Sequence, residues 1–211
     1  MITELPEVYV VDDDAAILRA LTRLLQADGY RVCPFQSPAE FLCSATLDAP
    51  GCAILDMHMP EFNGLELQRQ ILERQSPLGI IFLTAHGRID QCVEAVKSGA
   101  VDFLSKPVED TVLLTAVDQA LIKSHARHLD QMECQVFLQR YRTLSPRERE
   151  VCALVVTGLL NKQVAAQLGA SEKTIKIHRG RVMAKMQAGS LPDLVTMMGR
   201  LSREGLIREV V

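Results

Sequence analysis

Along the first 120 residues, short apolar runs of strand length alternate with amphipathic helical stretches, and few folds accommodate that alternation. The run VYVV at 8–11 comes first; residues 15–27 follow, with Ile17, Leu18, Leu21, Leu24 and Leu25 on one helical face. Residues 31–35, 52–55, 79–83 and 101–104 repeat the strand pattern. Between them, Ser37-Pro38 opens a short helix, and 64–75 and 89–98 read as two more. A long helix starts at Glu109 with Leu113, Leu114, Val117 and Leu121 inward. Five β–α units with short connections predict an α/β fold, a five-stranded parallel sheet with helices on both faces. Ligands of such sheets bind at the carboxyl ends of the strands.

Four features fall at those ends. Asp12-Asp13-Asp14 follows the first strand, Asp56 ends the third, Thr84-Ala85 ends the fourth, and Lys106-Pro107 follows the fifth. Any one aspartate after a strand also serves as a turn or helix cap, and Asp14 reads as one. Together the four converge on one edge of the sheet. Clustered carboxylates repel unless a cation joins them, and all-oxygen donors suit Mg²⁺. A carboxylate can also attack phosphorus to give an acyl phosphate, whose oxygens a lysine and a hydroxyl would hold.

Charge divides the chain. Residues 1–123 carry nine Lys/Arg against eighteen Asp/Glu, a net −9, whereas residues 124–211 carry fourteen against eight, a net +6. Two domains with different partners follow, the basic one suited to a polyanion. No apolar run reaches the length of a membrane span, and MITELPEVYVVDDD has no signal-peptide pattern, so a cytoplasmic protein without a membrane partner is expected. The six cysteines form no C-x-x-C pair and read as reduced thiols.

The basic part shows no strand pattern. Ser145-Pro-Arg-Glu148 is a capping box; Asn161 is expected to cap a short helix through Leu168, and Ser171 a longer one to about Met186, with Gly169-Ala170 between them. Two helices across a tight turn fit a helix-turn-helix, whose second helix enters the major groove. On that helix Ile175, Val182 and Met186 share the core stripe, while Lys173, Lys176, Ile177, Gly180 and Arg181 lie opposite. A solvated charged face explains the lysines and arginine, but not an outward isoleucine, which could contact thymine methyls. His178 falls at the core edge. Leu191, Leu194, Val195, Met198 and Leu201 stripe the last helix, part of it left for a dimer contact. Residues 124–142 are polar with spaced Leu129, Met132 and Val136, read as a helical extension that pairs with another helix over a flexible tether.

Residues 6–122 resemble the receiver domain of two-component response regulators, through VVDDD at 10–14, ILDMHMPEFNG at 54–64, FLTAHG at 82–87 and DFLSKPV at 102–108. The resemblance implies a flavodoxin-like receiver over 1–123 with Asp56 as phosphoacceptor. It implies Asp13 and Asp56 as direct Mg²⁺ ligands, Asp12 acting mainly through water, and the backbone carbonyl of His58 completing the set. Thr84, Ala85 and Lys106 would bind the phosphoryl group, Phe103 would be the switch aromatic, and Lys106-Pro107 would be cis. His58 and His86 fall where receivers tune phosphoryl lifetime, and zinc suits this oxygen site poorly.

Residues 143–211, after a helical linker over 124–142, resemble an all-α LuxR-type helix-turn-helix domain of the FixJ branch, through LSPREREV at 144–151 and GLLNKQVAAQLGASEKTIKIHR at 158–179. Lys176 and Ile177 would then lie near bases, with Lys162, Lys173, Thr174, Arg179 and Arg181 beside them or near phosphates. Gly180 stands where several relatives carry a basic residue. Homodimerisation on phosphorylation is expected through Arg88, Ile89, Val93, Lys97, Val101 and Asp102, with release of an inhibitory contact between the acidic receiver and the basic domain as the alternative. A sensor histidine kinase, promoter DNA and RNA polymerase are the implied partners, and the chain is read as a regulator, not an enzyme. Two rivals stay open, with an RNA-binding output a distant third because no RNA-binding aromatic motif is present. One is a dehalogenase-like phosphatase with Asp12–Asp14 as its D-x-D motif; the other is a constitutive DNA-binding protein whose receiver only dimerises.

Overall fold

The strands β1 (Glu7–Val11), β2 (Arg31–Phe35), β3 (Gly51–Asp56), β4 (Gly79–Thr84) and β5 (Asp102–Ser105) form one parallel sheet in the order β2-β1-β3-β4-β5. This is a computed structural model, and it describes residues 6–60, 63–85 and 89–207. The chain divides into two units, one to Leu129 and one from Asp130.

In the first unit, β3 and β4 are buried along their whole length, as strands covered on both faces must be. Side chains alternate between two cores with the period of two that a strand imposes. Tyr9, Val11, Ala53, Leu55, Ile80 and Phe82 face one side, packed with Phe41 of α2 (Pro38–Ser44) and with Leu67 and Ile71 of α3 (Gly64–Glu73). Val8, Val10, Cys52, Ile54, Ile81 and Leu83 face the other. There Leu18, Leu21 and Leu25 of α1 (Ala15–Ala27) meet Leu113, Val117 and Ala120 of α5 (Asp110–Arg142). α4 (Ile89–Lys97) lies between β4 and β5 in sequence and buries Ala95 in the first of these cores. At the sheet margin β2 carries Pro34, which pairs with Val10 on its inner side; proline, lacking an N–H, is tolerated on an edge strand and spoils further pairing.

The expected elements form with ends shifted by a residue or two, apart from α5. It runs unbroken for 33 residues, so the segment 124–142, expected to be a helical extension, is part of α5 itself. Ser124 is buried in the first unit, its hydroxyl accepting from the Gly51 amide at 2.9 Å; Phe137 and Leu138 enter the core of the second, and Cys134 is buried. Leu129, Met132 and Val136, expected to pair with another helix, are exposed.

The second unit adds α6 (Pro146–Val156), α7 (Asn161–Leu168), α8 (Glu172–Met186) and α9 (Leu191–Arg203) around Leu144, Val151, Cys152, Val155, Ile175 and Met198. Ser145, Ser171 and Ser190 cap α6, α8 and α9 through their side chains. The expectation that Asn161 caps α7 is corrected. Leu160 holds the cap position and its amide donates to Gln163 Oε1 at 2.8 Å. Asn161 is the first helical residue, and its Oδ1 accepts from Arg179 Nη1 at 3.3 Å.

Glu148 closes the capping box by accepting from the Ser145 amide at 2.8 Å, and the same carboxylate receives Lys185 Nζ of α8 at 2.6 Å. It is buried, and the Lys185 hydrogen bond, with the Ser145 amide, holds its carboxyl at about 2, well below the ordinary 4.5.

Two outcomes follow. A Cβ at Gly79 would sit 2.4 Å from the Ala120 carbonyl oxygen on α5, backbone against backbone. Gly79→Ala should therefore cost about 1–3 kcal/mol in urea unfolding of the first unit, and an unchanged midpoint would contradict that packing. Because the folded carboxyl of Glu148 is depressed, its contribution is fully present above the ordinary 4.5 and fades as pH falls toward 2. Glu148→Gln should lower the melting temperature at pH 7, with the deficit shrinking below pH 4.5; a deficit constant with pH would count against this ion pair.

Candidate functional site

The parallel register aligns Asp56 with Leu83 and Thr84 with Ser105, which brings the carboxyl ends of β1, β3, β4 and β5 to one edge of the sheet. A cavity of about 330 Å³ opens there, lined by Asp12, Asp13, Asp14, Ile17, Asp56, His58, Ala85 and Lys106. Lys106 stands between two carboxylates, with its Nζ 2.6 Å from Asp12 Oδ2 and 2.8 Å from Asp56 Oδ1. Asp56 Oδ2 accepts from the His58 amide at 2.8 Å, and Asp12 Oδ1 accepts from the Asp14 amide at 3.0 Å. Burial raises the Asp12 carboxyl above the usual carboxylate value, against the pull of Lys106 and the Asp14 amide. Burial acts to lower Lys106, but its hydrogen bonds to Asp12 and Asp56 outweigh that and hold it above an ordinary lysine.

The four features expected at the strand ends are thus assembled, in different ways. Asp12 and Asp56 are buried, while Asp13 is exposed on the cavity rim. Asp14 is the N-cap of α1, its Oδ1 accepting from the Ala16 amide at 2.7 Å. Thr84 is fully buried, with its hydroxyl 3.4 Å from His58 Nδ1. The His58 ring thus stands beside this hydroxyl, a contact the sequence did not specify. The Lys106–Pro107 peptide is cis. Phe103 is half-buried, its ring centroid 6.0 Å from that of Phe82.

Among the described residues, no three His, Cys, Asp or Glu side chains are already arranged around a common metal position. The Lys106 ammonium occupies the space between two of the carboxylates. The donor chemistry nonetheless fits a hard cation, since the cavity presents aspartate oxygens and a positive charge already sits among them.

On the expected pairing surface, Val93 and Lys97 of α4 are exposed, and Val101 and Asp102 are half-buried, Asp102 Oδ1 accepting from the Phe103 amide at 2.8 Å. Val96 and Val112 are further exposed apolar residues in this part of the chain that sequence reading did not single out. Arg88 and His86 lie outside the described residues, as does the side chain of Ile89.

In the second unit, α7 and α8 meet across Gly169, whose left-handed backbone (φ 60°) closes α7. Ile175, Val182 and Met186 of α8 are buried, while Lys173, Thr174, Lys176, Ile177 and Arg181 are exposed, as is Lys162 on α7. Thr174 is tied into the Ser171 cap, its amide donating to Ser171 Oγ at 3.1 Å. Arg179 is half-buried and hydrogen-bonded to Asn161, so its guanidinium braces α8 against α7. Arg147 does similar work, its Nη2 donating to the Leu168 carbonyl at 2.6 Å. These braces, like Lys185, were not legible as such, because a cation that points inward looks in sequence like one that points out. His178 is half-buried, in keeping with a core edge.

No described helix is long and apolar enough to cross a membrane. Residues 8–118 match the response regulator receiver domain family, and residues 142–198 match the luxR family of bacterial regulatory proteins. The chain is 46% identical to nodulation protein W of Bradyrhizobium diazoefficiens, over 90% of this chain and 84% of that one. It is 40% identical to the transcriptional regulatory protein FixJ of Rhizobium meliloti, over 90% and 93%. Its structure resembles that of the response regulator StyR with a TM-score of 0.73 and 38% identity, covering 93% of this chain and 100% of StyR. An acidic strand-end site in a β2-β1-β3-β4-β5 sheet, followed by a basic helix-turn-helix and matched along nearly the whole chain, places this protein in the family of transcriptional response regulators that join a receiver domain to a LuxR-type DNA-binding domain.

Proposed function

We propose that Asp56 accepts a phosphoryl group from a partner sensor histidine kinase, and that the modified receiver controls binding of α8 to promoter DNA through homodimerisation. The observation that carries this reading is the Asp56 carboxylate itself: buried, yet reached from a cavity and held between Lys106 Nζ and the His58 amide. One Asp56 oxygen would form the new bond to phosphorus as the P–N bond of a phosphohistidine donor breaks and its imidazole leaves. Lys106 is positioned to pair with the added charge, and the Thr84 hydroxyl and the Ala85 backbone to receive the phosphoryl oxygens. Asp12, Asp13, Asp56 and the His58 carbonyl would hold a Mg²⁺ ion, whose charge would offset that of the phosphoryl oxygens. Movement of Thr84 toward the phosphoryl group would free space for Phe103 to turn inward and reshape the surface of Val93, Lys97, Val101 and Asp102. Pairing there would raise the effective concentration of two DNA-binding domains on a two-fold site, from which RNA polymerase would be engaged. A sedimentation measurement with Val93→Glu tests that surface: a beryllofluoride-induced dimer as stable as the parent's would remove it.

Support for the DNA reading comes from Ile177, half exposed on a helix whose core positions are already filled. Lys176 and Ile177 would reach base edges, and Lys162, Lys173 and Arg181 the backbone. A Cβ at Gly180 would meet no atom within 4 Å beyond its own turn of helix, so the room there is available to the nucleic acid. Arg179, braced by Asn161, is assigned to positioning α8, with any phosphate contact made by the part of its guanidinium left over.

Acetyl phosphate with Mg²⁺ should add one base-labile phosphoryl group to the protein and none to Asp56→Asn; normal labelling of that variant would sink the assignment. Ile177→Ala should weaken specific DNA binding by about 1–3 kcal/mol and leave non-specific binding nearly unchanged. Lys162→Ala should weaken both alike. Equal losses on both DNAs for Ile177→Ala, at one salt concentration, would remove α8 from the groove.

A further inference from the structure

Helix α5 carries Ile122, His125, Leu129, Met132 and Val136 at successive spacings of three, four, three and four residues. This is the a/d repeat of a coiled-coil seam, with Ile122, Leu129 and Val136 at a and His125 and Met132 at d. All five are exposed, the apolar ones at 71% for Ile122, 53% for Leu129, 55% for Met132 and 42% for Val136. The helix satisfies its own protein with other positions. Leu113, Val117, Ala120 and Ser124 are buried in the first unit, and Cys134, Phe137 and Leu138 in the second. The apolar seam is therefore surplus to folding, and a row of large apolar side chains in water marks an interaction surface.

We infer that this seam pairs with the same seam of a second copy of this chain, in a short, parallel, in-register coiled coil. The repeat is self-complementary: each a residue meets its own copy, and β-branched Ile122 and Val136 at a favour two strands. The flanks agree. In the parallel register Leu121 faces Ala126 of the other helix, His128 faces Glu133, and Gln135 faces Arg140, so one pair is apolar, one opposes an imidazole to a carboxylate, and none sets like charges together. Glu133 already receives Arg200 of its own chain, which fixes its carboxylate on the helix surface. At the first layer, Leu121, Ile122 and His125 also border a largely apolar cavity of about 770 Å³ walled by Pro6, Ala49 and Pro50, so the seam continues into further apolar surface. Two heptads with an imidazole at d make a weak pair on their own. It becomes effective when another contact holds the copies together, and in this respect the inference deepens the dimerisation part of the proposed function.

The test uses the full chain with beryllofluoride and Mg²⁺ as the phosphoryl mimic. Leu129→Glu with Met132→Glu replaces only exposed side chains, and circular dichroism should show the helices intact. Sedimentation should give a dimer weaker by roughly tenfold or more. In a background with Cys33, Cys43 and Cys92 changed to Ser, Leu129→Cys should form an oxidised dimer, whereas Lys123→Cys, at a b position, should not. Equal dimer constants for parent and double variant, or equal crosslinking at 123 and 129, would overturn the seam, as would a parent that stays monomeric throughout. Acetyl phosphate labelling of Asp56 in the double variant is read separately. Its loss in parent and variant alike would count against the phosphoacceptor, while the crosslinking result would still decide the seam.

Discussion

Two carboxylates and one ammonium share the carboxyl edge of the receiver sheet, and most of the first unit exists to hold them there. Asp12 and Asp56 end neighbouring strands, and in a parallel pair the ends of neighbours fall level, so the carboxylates are set close by topology. Left alone they would repel in a poorly hydrated place. Lys106, delivered from the far side of β4 by the end of β5, joins both at under 3 Å. The close backbone approach of Gly79 to α5 and of Gly64 to β3 keeps the helices tight on the sheet, and through them the strand ends in line. A site so arranged is balanced rather than inert, because adding negative charge to Asp56 changes what Lys106 must neutralise.

Much of this was readable in the residues, and the reason is periodicity. Alternation by two along β1, β3 and β4 sends odd and even positions into separate cores, and a three-strand set of apolar runs cannot do otherwise without exposing them. The strand-end aspartates and Lys106 were legible because topology, not side-chain conformation, places them. Where reading failed, conformation decided. Asn161 follows a turn and has a capping side chain, yet Gln163 takes the Leu160 amide and Asn161 turns to Arg179. The segment 124–142 was legible as helix from its spacing of three and four, but not as part of the helix that begins at Asp110. What keeps it helical is that Ser124 at one point and Phe137 and Leu138 at others have cores to enter.

The second unit shows how a basic domain divides its cations. Lys185 is consumed by Glu148, Arg147 by the end of α7, Arg179 by its beginning, and Arg200 by Asp130 and Glu133. Net charge therefore overstates what is available to a polyanion. Among the described residues, Lys162, Lys173, Lys176 and Arg181 of α7 and α8 are exposed without an ion pair, as are Arg142, Arg149 and Arg203 elsewhere in the unit. The braces fix the angle at which α8 is presented, and a groove reader depends on that angle as much as on its charges.

Pro34 on β2 has a bearing beyond the sheet that contains it. A sheet that ends in an open strand carries a hazard wherever copies of a protein meet. Each open strand margin is a template on which another chain could add, and such growth has no natural end. With an imino acid in the outermost strand that template is interrupted, and encounters between copies are left to side-chain surfaces, which close on themselves after one partner. The same residue that looks like a local irregularity in β2 thus guards the sheet against open-ended growth.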